Sequence, residues 1–235
     1  MNKKLQYQLL LMFLGIIVIF NLAVIFTSND TPQEVYNVTE VGKNANGTVY
    51  KIVAGNESSN DTVGLILGVH PREHEIHEAV NETIYNITKE DGSNNLSKKY
   101  VIYYVKVNDN LTSREDTRDA GELLANKYVV KNIVKDKPFV VIDIHEIDPT
   151  YEYSNFIFTL SNRTAKVNAT MDKLVNDVNL VDYEFELGTS PEKVTEPIAK
   201  KGIDTFLIEN SIQDNLTQKQ KNAEKIIMSL DGLTG

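Results

Sequence analysis

The sequence predicts an α/β protein, a largely parallel or mixed sheet sandwiched by helices. Three observations carry that prediction. Short apolar runs rich in Val, Ile, Tyr and Phe recur along the chain. Between them stand longer stretches whose apolar residues return at helical spacing. The two kinds of segment alternate, as they do when helices link the strands of one sheet and cover its faces.

In order, residues 28–45 are polar and read as a short stalk. Thr48 to Ala54 reads as a strand, closed by Gly55 and the turn-rich run Asn56 to Asp61. Val63 to Val69 is continuously apolar, the mark of a buried strand. Ile76, Val80, Ile84 and Ile87 then predict an amphipathic helix from Glu73 to about Thr88, with a loop over Asp91 to Asn95. Tyr100–Val107 has the β-branched and aromatic content of a strand, and Leu123, Leu124, Tyr128 and Val129 mark a helix from Asp116 to Ile133. Pro138 opens a strand over Phe139–Ile144, and Asn155–Leu160 reads as another. Val167, Met171, Leu174 and Val178 make a helix, followed by a weaker strand at Tyr183–Leu187. Ser190-Pro191-Glu192 has the form of a helix start, with Ser190 as its N-cap, and Gly202 ends that helix. Thr205–Glu209 is a strand and Thr217 to Leu230 a final helix. No repeat or boundary interrupts residues 46–232, so 46–235 reads as one domain.

Residues 1–27 read as a membrane segment. Lys3 and Lys4 precede Leu9 to Phe26, eighteen residues with Asn21 as the strongly polar member. That length approaches the roughly 20 residues that span a bilayer, and the lysines predict an N-in orientation with the body outside. A cleaved signal peptide is the competing reading, and the body is exported either way. Twelve Asn-x-Ser/Thr sequons agree, at Asn29, Asn37, Asn46, Asn56, Asn60, Asn81, Asn86, Asn95, Asn110, Asn162, Asn168 and Asn215. They suggest an N-glycosylated surface protein, against the plainer reading of an Asn-rich composition. A sugar-coated exterior without disulfides suits an archaeal cell surface. The chain has no cysteine, which removes disulfides, thiolate metal sites and Cys nucleophiles together. A net charge of -9 repels phosphate backbones and argues against nucleic acid. No Gly-x-Ser-x-Gly and no phosphate-cradling glycine loop occurs. Nothing in the sequence fixes an oligomeric state.

The chemistry concentrates in the histidines. The chain has four: His70, His74, His77 and His145. His70 follows one predicted strand, with Glu73 three residues later; His145 ends a second strand, and Glu209 a third. Open α/β sheets bind ligands beyond the carboxyl ends of their strands. Two imidazoles and a carboxylate suit a catalytic zinc with one open position. Asp143 shares a strand face with His145 and can orient its ring, and Glu146 follows it. Glu209 would then be the general base.

His70-Pro-Arg-Glu73, the distant Asp143-x-His145 and the late Phe206-Leu-Ile-Glu209 resemble the zinc carboxypeptidase family of carboxypeptidase A type, with its succinylglutamate desuccinylase/aspartoacylase-like branch. The resemblance implies a three-layer αβα sandwich around a mixed sheet. It implies one zinc ion on His70, Glu73 and His145, with Glu209 promoting attack of water on an amide. It implies a substrate with a free carboxylate: a peptide C-terminal residue, a cell-wall peptide or an acyl-amino acid. The family's Asn-Arg pair is missing here. Arg118 is the first candidate for the substrate carboxylate, because its fork donates two parallel hydrogen bonds. Arg114 is second, Arg72 a groove residue, and Tyr183, Tyr151 or Tyr153 candidates for a substrate-site tyrosine. Two alternatives stand. His70-Pro-Arg-Glu73-His74 also fits the inverzincin pattern, in which His74 would be a ligand and Glu73 the base. A degenerate relative could serve as a surface binding or adhesion module.

Overall fold

A computed structural model describes residues 34–89, 96–184 and 188–235. The membrane segment over 1–27, the sequon at Asn29, the Asp91–Asn95 loop with its sequon and residues 185–187 lie outside them. Among the described residues, no helix is long and apolar enough to cross a membrane.

In chain order the elements are β1 (Glu34–Asn44), β2 (Gly47–Asn56), β3 (Thr62–Leu67), α1 (His74–Lys89), β4 (Lys99–Val107), α2 (Arg114–Leu124), α3 (Lys131–Asp136), β5 (Val140–Ile147), β6 (Phe156–Thr159), α4 (Ala165–Val178), β7 (Val181–Asp182), α5 (Glu196–Ala199), β8 (Asp204–Ser211) and α6 (Leu216–Asp231). The strands form one mixed sheet in the order β1-β2-β4-β3-β5-β8-β6-β7. Strands β4, β3, β5 and β8 run parallel, while β1, β2 and β6 join antiparallel to their inner neighbours. The central strands β3 and β5 are buried along their whole length, and β5 keeps Asp143, His145 and Glu146 inside that burial.

Helices α1, α4 and α6 cover one face, packing Ile76, Ile84, Leu174 and Ile226 against Leu65, Ile102, Ile142 and Phe206. The other face receives Leu124, Val129 and Ile133, with Val194 and Ile198, against Val49, Ile66, Tyr103 and Val141. Each such side chain, fully buried, contributes roughly 1.5–3 kcal/mol. These two apolar layers therefore carry the stability that offsets the charges buried at the edge of the sheet.

Four expectations change. Most of the segment read as a stalk is the edge strand β1, paired antiparallel with β2 across the two-residue turn Ala45-Asn46. Its polarity misled because an edge strand keeps much of its surface in water; Tyr36 and Val41 suffice to anchor it to the two core layers. The strand read over Tyr183–Leu187 does not include Tyr183 or Glu184, since the two-residue β7 ends at Asp182, and its remaining residues 185–187 lie outside the described ones. Ser190 is not an N-cap, because it is already helical (φ −67, ψ −50) and its side chain makes no capping bond. The run predicted over Asp116–Ile133 is helical from Arg114 to Asp136, with a π-helical segment at Ala125–Val130.

Candidate metal centre

The site lies where the parallel strands β3, β5 and β8 end together. Gly68 follows β3 with φ +78, a left-handed turn in which a side chain would collide with the Val105 carbonyl. Beyond it His70 is extended and Pro71–Glu73 form one turn of 3₁₀-helix, closed by Glu73 N–H to the His70 carbonyl at 3.0 Å. In such a turn residues i and i+3 eclipse, so the His-x-x-Glu spacing stacks its two side chains. His70 Nδ1 lies 2.9 Å from Glu73 Oε1.

His145 comes from β5, and its Nδ1 sits 2.8 Å from Glu73 Oε2 and 3.1 Å from His70 Nδ1. One donor atom from each of the three buried residues thus lies within 4.8 Å of the others. Tetrahedral zinc, with bonds of about 2.0–2.1 Å, places its ligand atoms about 3.3 Å apart. The donor set fits a metal ion in both chemistry and spacing.

The outer nitrogens fit too. His70 Nε2 is 3.2 Å from Glu122 Oε1, and His145 Nε2 is 3.1 Å from Asp143 Oδ1, the latter without hydrogen-bond alignment. An Nε2–H facing each carboxylate leaves both Nδ1 lone pairs turned inward, the tautomer a ligand needs. Glu122 was not anticipated from the sequence. It stands four residues after Arg118 on α2, and Gly121 lets that helix approach so closely that any Cβ would collide with the Val69 carbonyl. The signal available was the i, i+4 pair of Arg118 and Glu122 on one helix face.

Burial opposes the charge on Glu73, but the His145 and His70 imidazoles outweigh it and hold the carboxyl well below its usual range. Burial likewise opposes charge on His145, and Asp143 and Glu73 overcome it, raising its pKa well above normal. For Glu122, burial is outweighed by hydrogen bonds from His70, Lys193 and Thr189, which bring the carboxyl down to about 2. Glu209, in register with His145 on the neighbouring strand, behaves oppositely. Burial pushes its carboxyl up to about 8, with His145 opposing the rise and Glu73 and Asp143 adding to it. Its Oε2 is buried without a hydrogen-bond partner among the described residues.

A cavity of about 390 Å³ opens onto these groups. Arg118 and Arg114 both line it, and Arg118 Nη1 is 3.2 Å from His70 Nδ1 and 3.4 Å from Glu73 Oε1. Arg72 lines an adjoining cleft and donates to the Thr112 carbonyl at 3.1 Å. Tyr151 lines the cavity. Tyr183 is not among the residues that line it; its ring packs on Phe156 and Tyr153, with ring centres 5.3 and 5.0 Å away.

The inverzincin alternative does not assemble, because His74 is exposed and pairs with Glu78 at 3.5 Å, away from the cluster. His77 is fully buried and bonds the Ile144 carbonyl through Nε2 at 2.8 Å. Glu146 points away from His145, taking Lys219 Nζ at 2.7 Å and the Ile76 N–H at 3.1 Å. Of the sequon asparagines, Asn37, Asn60, Asn86, Asn110, Asn162, Asn168 and Asn215 are exposed, and Asn46, Asn56 and Asn81 half-buried.

No family model matches the chain, and no curated protein does. Solved structures share its fold. A metallo-carboxypeptidase from Burkholderia cenocepacia gives a TM-score of 0.57 at 12% identity, over 88% of this chain and 66% of that one. One from Pseudomonas aeruginosa, in complex with (2-guanidinoethylmercapto)succinic acid, gives 0.56 at 12%, over 83% and 64%. An aspartoacylase family protein from Mesorhizobium loti gives 0.50 at 14%, over 88% and 69%. The chain spans about two thirds of the length of these structures, and what it shares with them is the fold. They represent the two branches that the motif from His70 to Glu209 resembles.

Proposed function

We propose that this chain is a zinc-dependent metallohydrolase that cleaves an amide bond next to a free carboxylate. One observation carries the reading: two imidazoles and a carboxylate converge with both Nδ1 atoms inward at the carboxyl edge of the sheet, beside the buried Glu209, whose Oε2 has no hydrogen-bond partner among the described residues. His70, Glu73 and His145 would hold the ion. Zinc, when bound there, supplies a Lewis acid that polarises a carbonyl and lowers the pKa of water.

The remaining work falls to the chain. Glu209 accepts the proton of the attacking water and returns it to the departing amine. Burial favours its protonated form, and a cation next to it restores the carboxylate a base requires. Arg118, a third exposed at the cavity wall, and Arg114 bind the substrate carboxylate as charge-assisted pairs. The succinate-bearing compound held by the Pseudomonas aeruginosa protein supports a carboxylate-binding pocket of this kind. The substrate class is a peptide C-terminal residue, a cell-wall peptide or an acyl-amino acid.

The body faces outward, anchored through residues 9–26 or released after cleavage, and carries N-linked sugars. Lys3, Lys4 and the sequons support that placement, and an unmodified intact mass for the native protein would remove the glycan argument. Amino-acid release from a panel of peptides and acyl-amino acids tests the activity. Turnover by the zinc-loaded protein that is lost in Glu209→Gln is expected. Stoichiometric zinc with no turnover would point instead to the binding module.

A further inference from the structure

The carboxylates that hold the two imidazoles are themselves held by a single short segment. Pro191–Thr195 form one π-helical turn, in which Glu196 N–H reaches back five residues to the Pro191 carbonyl. From this turn Lys193 Nζ approaches Glu122 Oε2 at 2.7 Å, and Thr195 Oγ1 donates to Asp143 Oδ2 at 2.9 Å. Just before it, Thr189 Oγ1 donates to Glu122 Oε1 at 2.7 Å. Two chains therefore meet in one turn: Thr195 to Asp143 to His145, and Lys193 to Glu122 to His70. The turn is pinned in its own right, since Asn126 Nδ2, from the π segment after α2, donates to the Lys193 carbonyl at 2.6 Å. A π turn adds a residue to the helical circuit and so re-aims its side chains, and such turns recur at functional sites.

We propose that Thr195 and Lys193 are positioning residues of the metal centre, acting through Asp143 on His145 and through Glu122 on His70. The inference rests on the zinc reading of the three ligands. The two links differ in shelter. Thr195 and Asp143 are both fully buried, so water does not reach the pair to replace the hydroxyl. Without it Asp143 is free to turn about its χ2 and release the His145 ring. Lys193 is 37% exposed, and Glu122 keeps Thr189 when it is gone, so its removal does less.

The test compares the wild-type protein with Thr195→Val, Thr195→Ser and Lys193→Met. Zinc affinity is measured by competition with a chromophoric chelator, and ligand geometry by the absorption spectrum of the cobalt-substituted protein. Thr195→Val should bind zinc about 10–100-fold more weakly, the usual cost of losing an outer partner of a ligand, and shift the cobalt bands. Thr195→Ser should restore both, and Lys193→Met should weaken zinc binding by a smaller factor. Lys193→Met keeps the question open to measurement if Thr195→Val does not fold. Unchanged zinc affinity in Lys193→Met or in folded Thr195→Val, or a serine variant as weak as the valine, overturns the proposal while leaving the zinc reading intact. A wild-type protein that takes up no zinc overturns both.

Discussion

The site has two halves built on different principles. Asp143, His145 and Glu209 lie on the adjacent parallel strands β5 and β8, where pairing puts His145 opposite Glu209 and the period of two puts Asp143 on the face of His145. His70, Glu73, Glu122 and Arg118 are brought together by a left-handed glycine, a 3₁₀ turn and a helix lying close over Val69. The strand half follows from the period of two along β5 and the backbone register of β5 with β8. The helix half depends on tertiary contacts tens of residues apart. A strand fixes where its side chains start; a turn or helix end must itself be held, and here Glu122, braced by Thr189 and Lys193, does the holding.

Mutation can break or sharpen that contrast. The largest expected effect is Glu209→Gln, in the strand half: zinc stays bound and kcat falls by about 10²–10⁴, the usual share of a general base. Single-turnover assays on the zinc-loaded variant check it, and loss of zinc there would mean that Glu209 is a ligand. Next comes the seam between the halves, where His77 on α1 bonds the Ile144 carbonyl of β5. Burial lowers its pKa to about 4, so the folded protein excludes a proton that the unfolded chain takes up below about 6.5. Its contribution is therefore intact above pH 6.5 and is lost as the pH falls towards 4, by about 3 kcal/mol in all. Urea unfolding of His77→Gln at stepped pH should show a flatter profile than wild type in that window. An identical profile contradicts the assignment.

The direct comparison of halves is Asp143→Asn against Glu122→Gln. Both should weaken zinc within about 10–100-fold, with Asp143→Asn at the upper end because its shell is closed to water and Glu122 has two further donors. The reverse order would mean that the helix half dominates. The smallest effect expected is Arg118→Met. Loss of a charged hydrogen bond worth about 1.5 kcal/mol should raise KM about tenfold at similar kcat. An unchanged KM would remove Arg118 from substrate binding.

Legibility in the sequence follows the same divide. The runs Val63–Val69 and Phe139–Ile144 read as central strands because they are apolar but for Asp143, as strands covered on both faces are, and the site strand β8 is read from Thr205–Glu209. Positions on strands transferred directly into the site. What escaped depends on contact across the fold. The edge strand β1 looked like a linker because half its residues meet water. Ser190 looked like a cap, yet the helix starts before it and its hydroxyl lies buried at the cavity, without a partner among the described residues. Glu122, Lys193 and Thr195 read as ordinary helix residues, because no local spacing says which helix will lie over His70. The packing of Tyr183 on Phe156 and Tyr153 is likewise a contact that no local spacing shows.

The central claim is that one ion is held by His70, Glu73 and His145. Metal analysis of the purified protein, its His145→Ala variant and its His74→Ala variant tests it most directly. One zinc per chain is expected in wild type and in His74→Ala, and none in His145→Ala. Zinc retained without His145, or lost without His74, would contradict it.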